Sequence, residues 1–137
     1  MTEKNDLIIY RPSREADMPF IMDTWLKTLR DKNDFFRAID RETYLSVYPK
    51  VVHKLVHNCI TTIAALKEDD DVLIGYSCSD RTTLHWVFVK NQWRGLGIMK
   101  DLLHQDIKFV SHYTRLFKPI IDKYNWRFNP FYEQLEG

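Results

Sequence analysis

The sequence predicts a single α+β domain spanning residues 1–137. Its centre is a mostly antiparallel, twisted sheet of about six to seven strands flanked by about four helices. Three observations carry this reading. The chain has 137 residues, 45% of them apolar and 28% charged, which suits one domain with its own buried core. Three β-rich runs follow one another between residues 59 and 89 across short polar turns, the pattern of an antiparallel meander. Segments with helical spacing of apolar residues stand on both sides of that meander, so helices are available to cover the sheet.

The first element is "LIIYRP" (7–12), a short β-rich run ending at Pro12. Asp17 then precedes "MPFIMDTWLKTLRD", where Phe20, Ile21, Trp25, Leu26 and Leu29 recur at helical spacing. Asp17 is the expected N-cap, with Pro19 in the first turn. "KNDFF" breaks this helix. A second helix, about 41–57, carries Tyr44, Leu45, Tyr48, Val51, Val52, Leu55 and Val56, with Pro49 as an interior irregularity.

The meander follows: "CITTIAALK" (59–67), the acidic turn "EDDD", "VLIGYSCS" (72–79), the turn "DRTT", and "LHWVFV" (84–89). "EDDD" reads as a solvated turn. Beyond it a short helix opens at Ile98 and carries Leu102 and Leu103 to about Gln105. "IKFVSHYT" (107–114) reads as a strand, "RLFKPIIDKYN" (115–125) as a helix compromised by Pro119, and "WRFNPFYEQ" (126–134) as a closing strand.

Composition excludes several classes. A formal net charge of +1 with interspersed signs gives no call for nucleic acid or an anionic membrane. No stretch has the length of a membrane span, and the N-terminus lacks a signal-peptide core, so the expected location is cytoplasmic. Cys59 and Cys78 lack metal-ligand spacing and read as reduced core thiols. His53 and His57 share a helix face without a third ligand, a weak basis for a metal site. No metal is expected.

The chemistry concentrates in "FVKNQWRGLGIMKDLL" (88–103). Gly95 and Gly97 lie one residue apart, between a β-like run and a helical one. "QWRGLG" is short of the dinucleotide fingerprint and lacks the lysine and Ser/Thr of a P-loop. A strand-to-helix turn of this kind aims several main-chain N–H groups at one point and suits a phosphate or pyrophosphate. Glycine leaves room for the ligand, and Arg94 can add charge-assisted bonds. An ordinary structural connection is the alternative.

This segment resembles the acetyl-coenzyme A motif, Q/R-x-x-G-x-G/A, of the GNAT superfamily of N-acetyltransferases. Gln92, Gly95 and Gly97 match it, Val89 ends the preceding strand, and Ile98, Leu102 and Leu103 fall on the following helix. The opening "IIYRPSREADMPFI" resembles the family's first strand, Arg-Pro turn and helix start, and the order of elements agrees over most of the chain. The resemblance implies a GNAT-like fold and direct acetyl transfer from acetyl-CoA to an amine. Val87, Phe88 and Val89 would meet the pantetheine arm through their backbone. The turn of Gln92, Trp93, Arg94, Gly95, Leu96, Gly97 and Ile98 would hold the pyrophosphate.

Amine acetylation needs a neutral nucleophile, so a base near neutrality helps. Alternation along the strand places His85 on one face with Thr83, Val87 and Val89, and its ring titrates near neutrality. The resemblance implies a base or proton relay there; a hydrogen-bonded core histidine is the other reading. The family's tyrosine that protonates the leaving thiolate aligns with Ile121, which cannot donate a proton. Tyr113 and Tyr124 are the candidate substitutes, although a ring packed in the core is the more common explanation of such a tyrosine. Thr114 stands where many members place an asparagine against the cofactor.

The sequence therefore points to an N-acetyltransferase acting on a primary amine of a small molecule or protein. The alternative is a GNAT-fold protein of weak or no activity that binds CoA or a protein partner.

Overall fold

The computed structural model describes residues 6–131. The strands are β1 (Ile8–Pro12), β2 (Ile60–Leu66), β3 (Leu73–Ser79), β4 (Thr83–Val89), β5 (Phe109–Val110) and β6 (Arg127–Phe128). The helices are α1 (Met18–Lys32), α2 (Asp34–Ala38), α3 (Arg41–Asn58), α4 (Ile98–Leu102) and α5 (Lys118–Tyr124), with 3₁₀ turns at Glu15–Asp17 and Asn91–Trp93. The strands form one sheet in sequence order. β1 to β4 are antiparallel neighbours, whereas β4–β5 and β5–β6 are parallel. The expected α+β architecture and mostly antiparallel sheet are found, with six strands and one helix more than anticipated.

Packing follows from the apolar spacing. α1 buries Ile21, Trp25, Leu26 and Leu29, and the Trp25 indole stacks on Trp86 of β4 with centroids 5.4 Å apart and planes within 9°. α3 buries Tyr44, Val52, Leu55 and Val56, and continues through Pro49. Every residue of β3 is buried, as expected of a central strand covered on both faces.

Several expectations are corrected. Asp17 does not cap α1 through its side chain. Its carboxylate instead accepts from Arg11 Nη1 (2.8 Å) and Nη2 (3.0 Å) and from the Arg14 amide (2.8 Å) in a buried ion pair. "KNDFF" ends α1 but starts α2, because the Asn33 side chain accepts from the Phe36 amide and caps a new turn. The acidic turn is tied down as well as solvated: the Asp70 carbonyl accepts from Arg11 Nη2, and its carboxylate pairs with Arg14. α5 begins only at Lys118, where Pro119 falls in the first turn and needs no acceptor for its missing N–H. Asn125 then closes α5 with a left-handed φ of 58°. α4 ends at Leu102, short of the expected Gln105. β5 and β6 keep only two residues each; positions 132–134 of the expected last strand lie outside the described residues.

The sheet opens beside β4. Pairing with β5 is confined to Thr83↔Phe109 and Leu84↔Val110. The Ser111 amide still donates to the Leu84 carbonyl, but from there the chain leaves toward α1, where the Arg115 amide donates to the Lys32 carbonyl. From His85 onward the outer edge of β4 therefore has no neighbouring strand among the described residues.

Candidate active site

A cavity of about 200 Å³ lies along that open edge. Trp86, Val87, Phe88 and Val89 of β4 form one wall, Arg94 and Met99 one end, and Leu116, Phe117 and Ile120 the opposite side. The Lys90 amide donates to Ile74 across the β3 side. Strand alternation then turns the backbone groups of Val89 and Val87 toward the open side. Arg94 confirms that direction, since its Nε donates to the Val89 carbonyl at 3.0 Å.

The turn after β4 is pinned by alternate residues. Trp93 and Leu96 are half-buried against the core, Ile98 is buried, and Gln92, Arg94, Gly95 and Gly97 are exposed. Gly95 and Gly97 have φ of 80° and 83°, the left-handed region that L side chains avoid. A Cβ built on either would meet nothing within 4 Å, so conformation demands glycine here and internal crowding does not. The amides of Gly95, Leu96, Gly97, Ile98, Met99 and Lys100 have no acceptor among the described residues. α4 has five residues, too short for its dipole to add much, so what the turn can offer an anion is these N–H groups.

His85 lies inward of this cavity and does not line it. The register of β3 and β4 shifts between Cys78 and Ser79, pairing Cys78 with Trp86 and Ser79 with Leu84. His85 falls between these pairs, and the irregularity breaks the simple alternation read from the sequence. Its fully buried side chain places Nδ1 2.7 Å from Ser111 Oγ and Nε2 3.3 Å from Asp80 Oδ2. Ser111 Oγ is also 2.7 Å from His112 Nδ1, and His112 Nε2 is hydrogen-bonded to the Tyr48 hydroxyl. A buried chain of polar groups thus links Asp80, His85, Ser111, His112 and Tyr48. Burial, and secondarily the nearby His85, holds the His112 pKa down to about 3.

Cys59 is half-buried, not a core thiol, whereas Cys78 is fully buried. The Cys59 thiol is held well below its ordinary pKa, first by hydrogen bonding with Cys78 and then by His85, while the Cys78 thiol is raised. The spacing of Cys59, Asp80, His85, Ser111 and His112 gave no sign of this cluster, because four separate segments contribute to it.

The tyrosines lie elsewhere. Tyr124 stacks on Trp126 at 5.0 Å, and the Tyr113 ring packs beside Phe128 at 6.0 Å; neither lines the β4 cavity. Ile121 is half-buried against the core. Thr114 is fully buried, and its hydroxyl has no hydrogen-bond partner among the described residues. A larger hollow, about 660 Å³, is lined by Asp23, Lys27, Arg30, Asp31, Arg41 and Tyr44 of α1 and α3. Thr28, which lines the β4 cavity, projects about 140° around α1 from Asp23, so the helix stands between the two.

No protein-family model matches the chain, and no curated protein matches it. Solved structures do. A candidate acetyl transferase from Pyrococcus furiosus superposes with a TM-score of 0.61 at 16% identity, over 86% of this chain and 89% of that one. Apo YjaB of Escherichia coli gives 0.50 at 19% identity, over 70% of this chain. A Corynebacterium glutamicum structure of histone acetyltransferase HPA2 and related acetyltransferase gives 0.50 at 17% identity, over 70% of this chain and 67% of its own. The match spans 61% of the length of YjaB, less than two thirds. At these identities the likeness concerns architecture, and the chain has the fold of the GNAT acetyltransferases.

Proposed function

We propose that this protein transfers an acetyl group from acetyl-CoA directly to a primary amine. The observation that carries the reading is the run of amides from Gly95 to Lys100 that have no acceptor among the described residues, with open space at Gly95 and Gly97, at the end of a strand whose outer edge pairs with no described strand beyond Leu84. The residues fit the cofactor. Val87 and Val89 offer backbone groups to an extended amide-bearing arm, as an added strand would use them. Phe88, Leu116, Phe117 and Ile120 supply apolar walls, and Arg94 adds a positive charge beside the turn. Bound acetyl-CoA supplies the thioester carbonyl. This chain's part is to hold that group along β4 and to take a proton from the amine.

For the proton, the Asp80–His85–Ser111–His112–Tyr48 chain is a relay whose members lie within hydrogen-bond reach of one another. The acceptor class is an amine on a small molecule or protein. A second reading, CoA binding without efficient turnover, draws support from one observation: among the described residues no phenol lines the cavity to protonate a leaving thiolate.

Calorimetric titration with acetyl-CoA, with desulfo-CoA in parallel, tests the proposal. Saturable micromolar binding of both is expected, followed by release of free thiol when amines are screened. Absence of binding at millimolar cofactor would overturn both readings, and binding with no thiol release from any amine would leave the second.

A further inference from the structure

Cys59 is the C-cap of α3, Asp80 lies in the β3–β4 turn and His85 sits on β4. A sulfur, a carboxylate oxygen and an imidazole nitrogen from these residues all lie within 4.8 Å of one another. The 3.3 Å between His85 Nε2 and Asp80 Oδ2 is about the separation that a tetrahedral ion with ligand bonds near 2.0–2.1 Å imposes on two of its donors.

Both oxygen and nitrogen donors are held from behind. Asp80 Oδ1 accepts from the Thr82 and Thr83 amides at 3.2 and 2.9 Å, which leaves Oδ2 turned to His85. His85 Nδ1 is fixed by buried Ser111, which is in turn fixed by His112 and, beyond it, Tyr48. Such outer partners set the orientation of metal-binding imidazoles.

A neutral His112 carries one ring N–H, so the chain has two orientations. In the first, His85 Nδ1–H donates to Ser111, Ser111 to His112 Nδ1, and His112 Nε2–H to Tyr48. The lone pair of His85 Nε2 then faces the Asp80 carboxylate, and a cation between them satisfies both. In the reverse orientation, His85 Nε2–H donates to Asp80.

We propose that Cys59, Asp80 and His85 form a binding site for a divalent transition-metal ion, zinc above all, with one coordination position left open. Thiolate, imidazole and carboxylate together suit zinc and do not suit magnesium or calcium. Half-buried Cys59 lines a surface hollow of about 360 Å³ beside Pro12, Ser13, Ile60 and Thr61, and the Asp80 side chain is one-fifth exposed, so two of the three ligands reach toward solvent. Binding displaces the Cys59 thiol proton to solvent, and any proton on His85 Nε2 with it. The ion takes a ring nitrogen that a proton relay needs, so metal binding and turnover compete for His85. The site itself stands whether or not acetyl transfer is the activity.

The test is titration of the full chain, reduced and stripped of metal, with Co²⁺ as a spectroscopic probe. One equivalent is expected to produce a thiolate-to-cobalt charge-transfer band and the intense visible bands of a tetrahedral ion, both abolished by Zn²⁺. Cys59→Ser removes the charge-transfer band and weakens binding at least 100-fold, Ser111→Ala weakens it about 10–100-fold, and Cys78→Ser keeps the band. A measurement on the unaltered protein guards against misfolded variants: Zn²⁺ is expected to slow alkylation of Cys59 by iodoacetamide at least tenfold, as mapped by mass spectrometry. No saturable cobalt spectrum, a band that survives Cys59→Ser, or alkylation indifferent to Zn²⁺ would each overturn the site.

Discussion

Arg94 Nε donates to the Val89 carbonyl at 3.0 Å, so the turn that presents its amides is tied back to the end of the strand it follows. The guanidinium is otherwise exposed at the mouth of the β4 cavity. Arg94→Ala is expected to raise the Kd for acetyl-CoA about tenfold or more, in line with about 1.5–3 kcal/mol for a hydrogen bond to a charged group. It should also flatten the salt dependence of binding. Calorimetry at two ionic strengths reads both effects, and an unaltered salt dependence would place the pyrophosphate away from Arg94.

Gly97 separates backbone strain from ligand blocking. Its φ is 83° and a Cβ meets nothing within 4 Å, so Gly97→Ala costs only the left-handed backbone penalty, about 1–2 kcal/mol of folding stability. Gly97→Trp should cost a similar amount and abolish CoA binding, because the indole fills the space the amides face. Urea unfolding and calorimetry on the two variants test this, and full affinity in the tryptophan variant would exclude the turn as the pyrophosphate site.

Gly75 presents the opposite case. A Cβ there would lie 2.4 Å from the Phe88 carbonyl oxygen and 3.1 Å from Val89 Cα. Both neighbours are backbone of the strand that lines the cavity, so neither swings aside as a side chain would. Gly75→Ala is expected to destabilise the protein by about 1–3 kcal/mol, the range for overpacking, and to weaken acetyl-CoA binding by displacing the β4 edge. Chemical denaturation and calorimetry would show both losses together.

The meander and the glycine turn were legible because their signals are local. The β-rich runs with polar turns located β2, β3 and β4 to within a residue or two, and Gly95 and Gly97 are the glycines with left-handed backbone among the described residues. The buried cluster was not legible in the same way. Cys59, Asp80, His85, Ser111 and His112 converge through a register shift at Cys78/Ser79 and an early departure of the chain after Val110, and neither leaves a periodic trace. Asp17 was misread for a related reason. Its position before a helix matched a cap, but Arg11 on β1 is the stronger competitor for its carboxylate.

His85 gives a kinetic prediction. Its ring lies in the buried hydrogen-bonded chain and not on the cavity wall, so His85→Ala should leave acetyl-CoA affinity near the original value. Amine-dependent thiol release should fall about 10²–10⁴-fold, the usual contribution of a positioned proton acceptor. An unchanged rate of thiol release in the variant would remove His85 from proton transfer.

Acid lability is the last prediction, and its sign follows from two groups. Burial and the neighbouring His85 hold His112 near a pKa of about 3, whereas an unfolded chain returns it to about 6.5. Its ring sits among Trp25, Trp86, Tyr48 and Phe36, where a second proton has no room for solvation. Between these values the unfolded chain binds a proton that the folded one refuses. The stability contributed is complete above about pH 6.5 and falls below it by up to about 1.4 kcal/mol per pH unit. Burial opposes ionisation of Asp17, but the bonds from Arg11 and the Arg14 amide outweigh it and hold its carboxyl below the ordinary range. That contribution persists down to about pH 4 and is lost only below it. Urea unfolding at a series of pH values should therefore show two stages. His112→Asn removes the first stage and keeps the second, and Asp17→Asn costs about 3–5 kcal/mol at neutral pH by leaving Arg11 buried and unpaired. A stability profile flat from pH 7 to 5 in the unaltered protein would mean that His112 accepts its proton while folded.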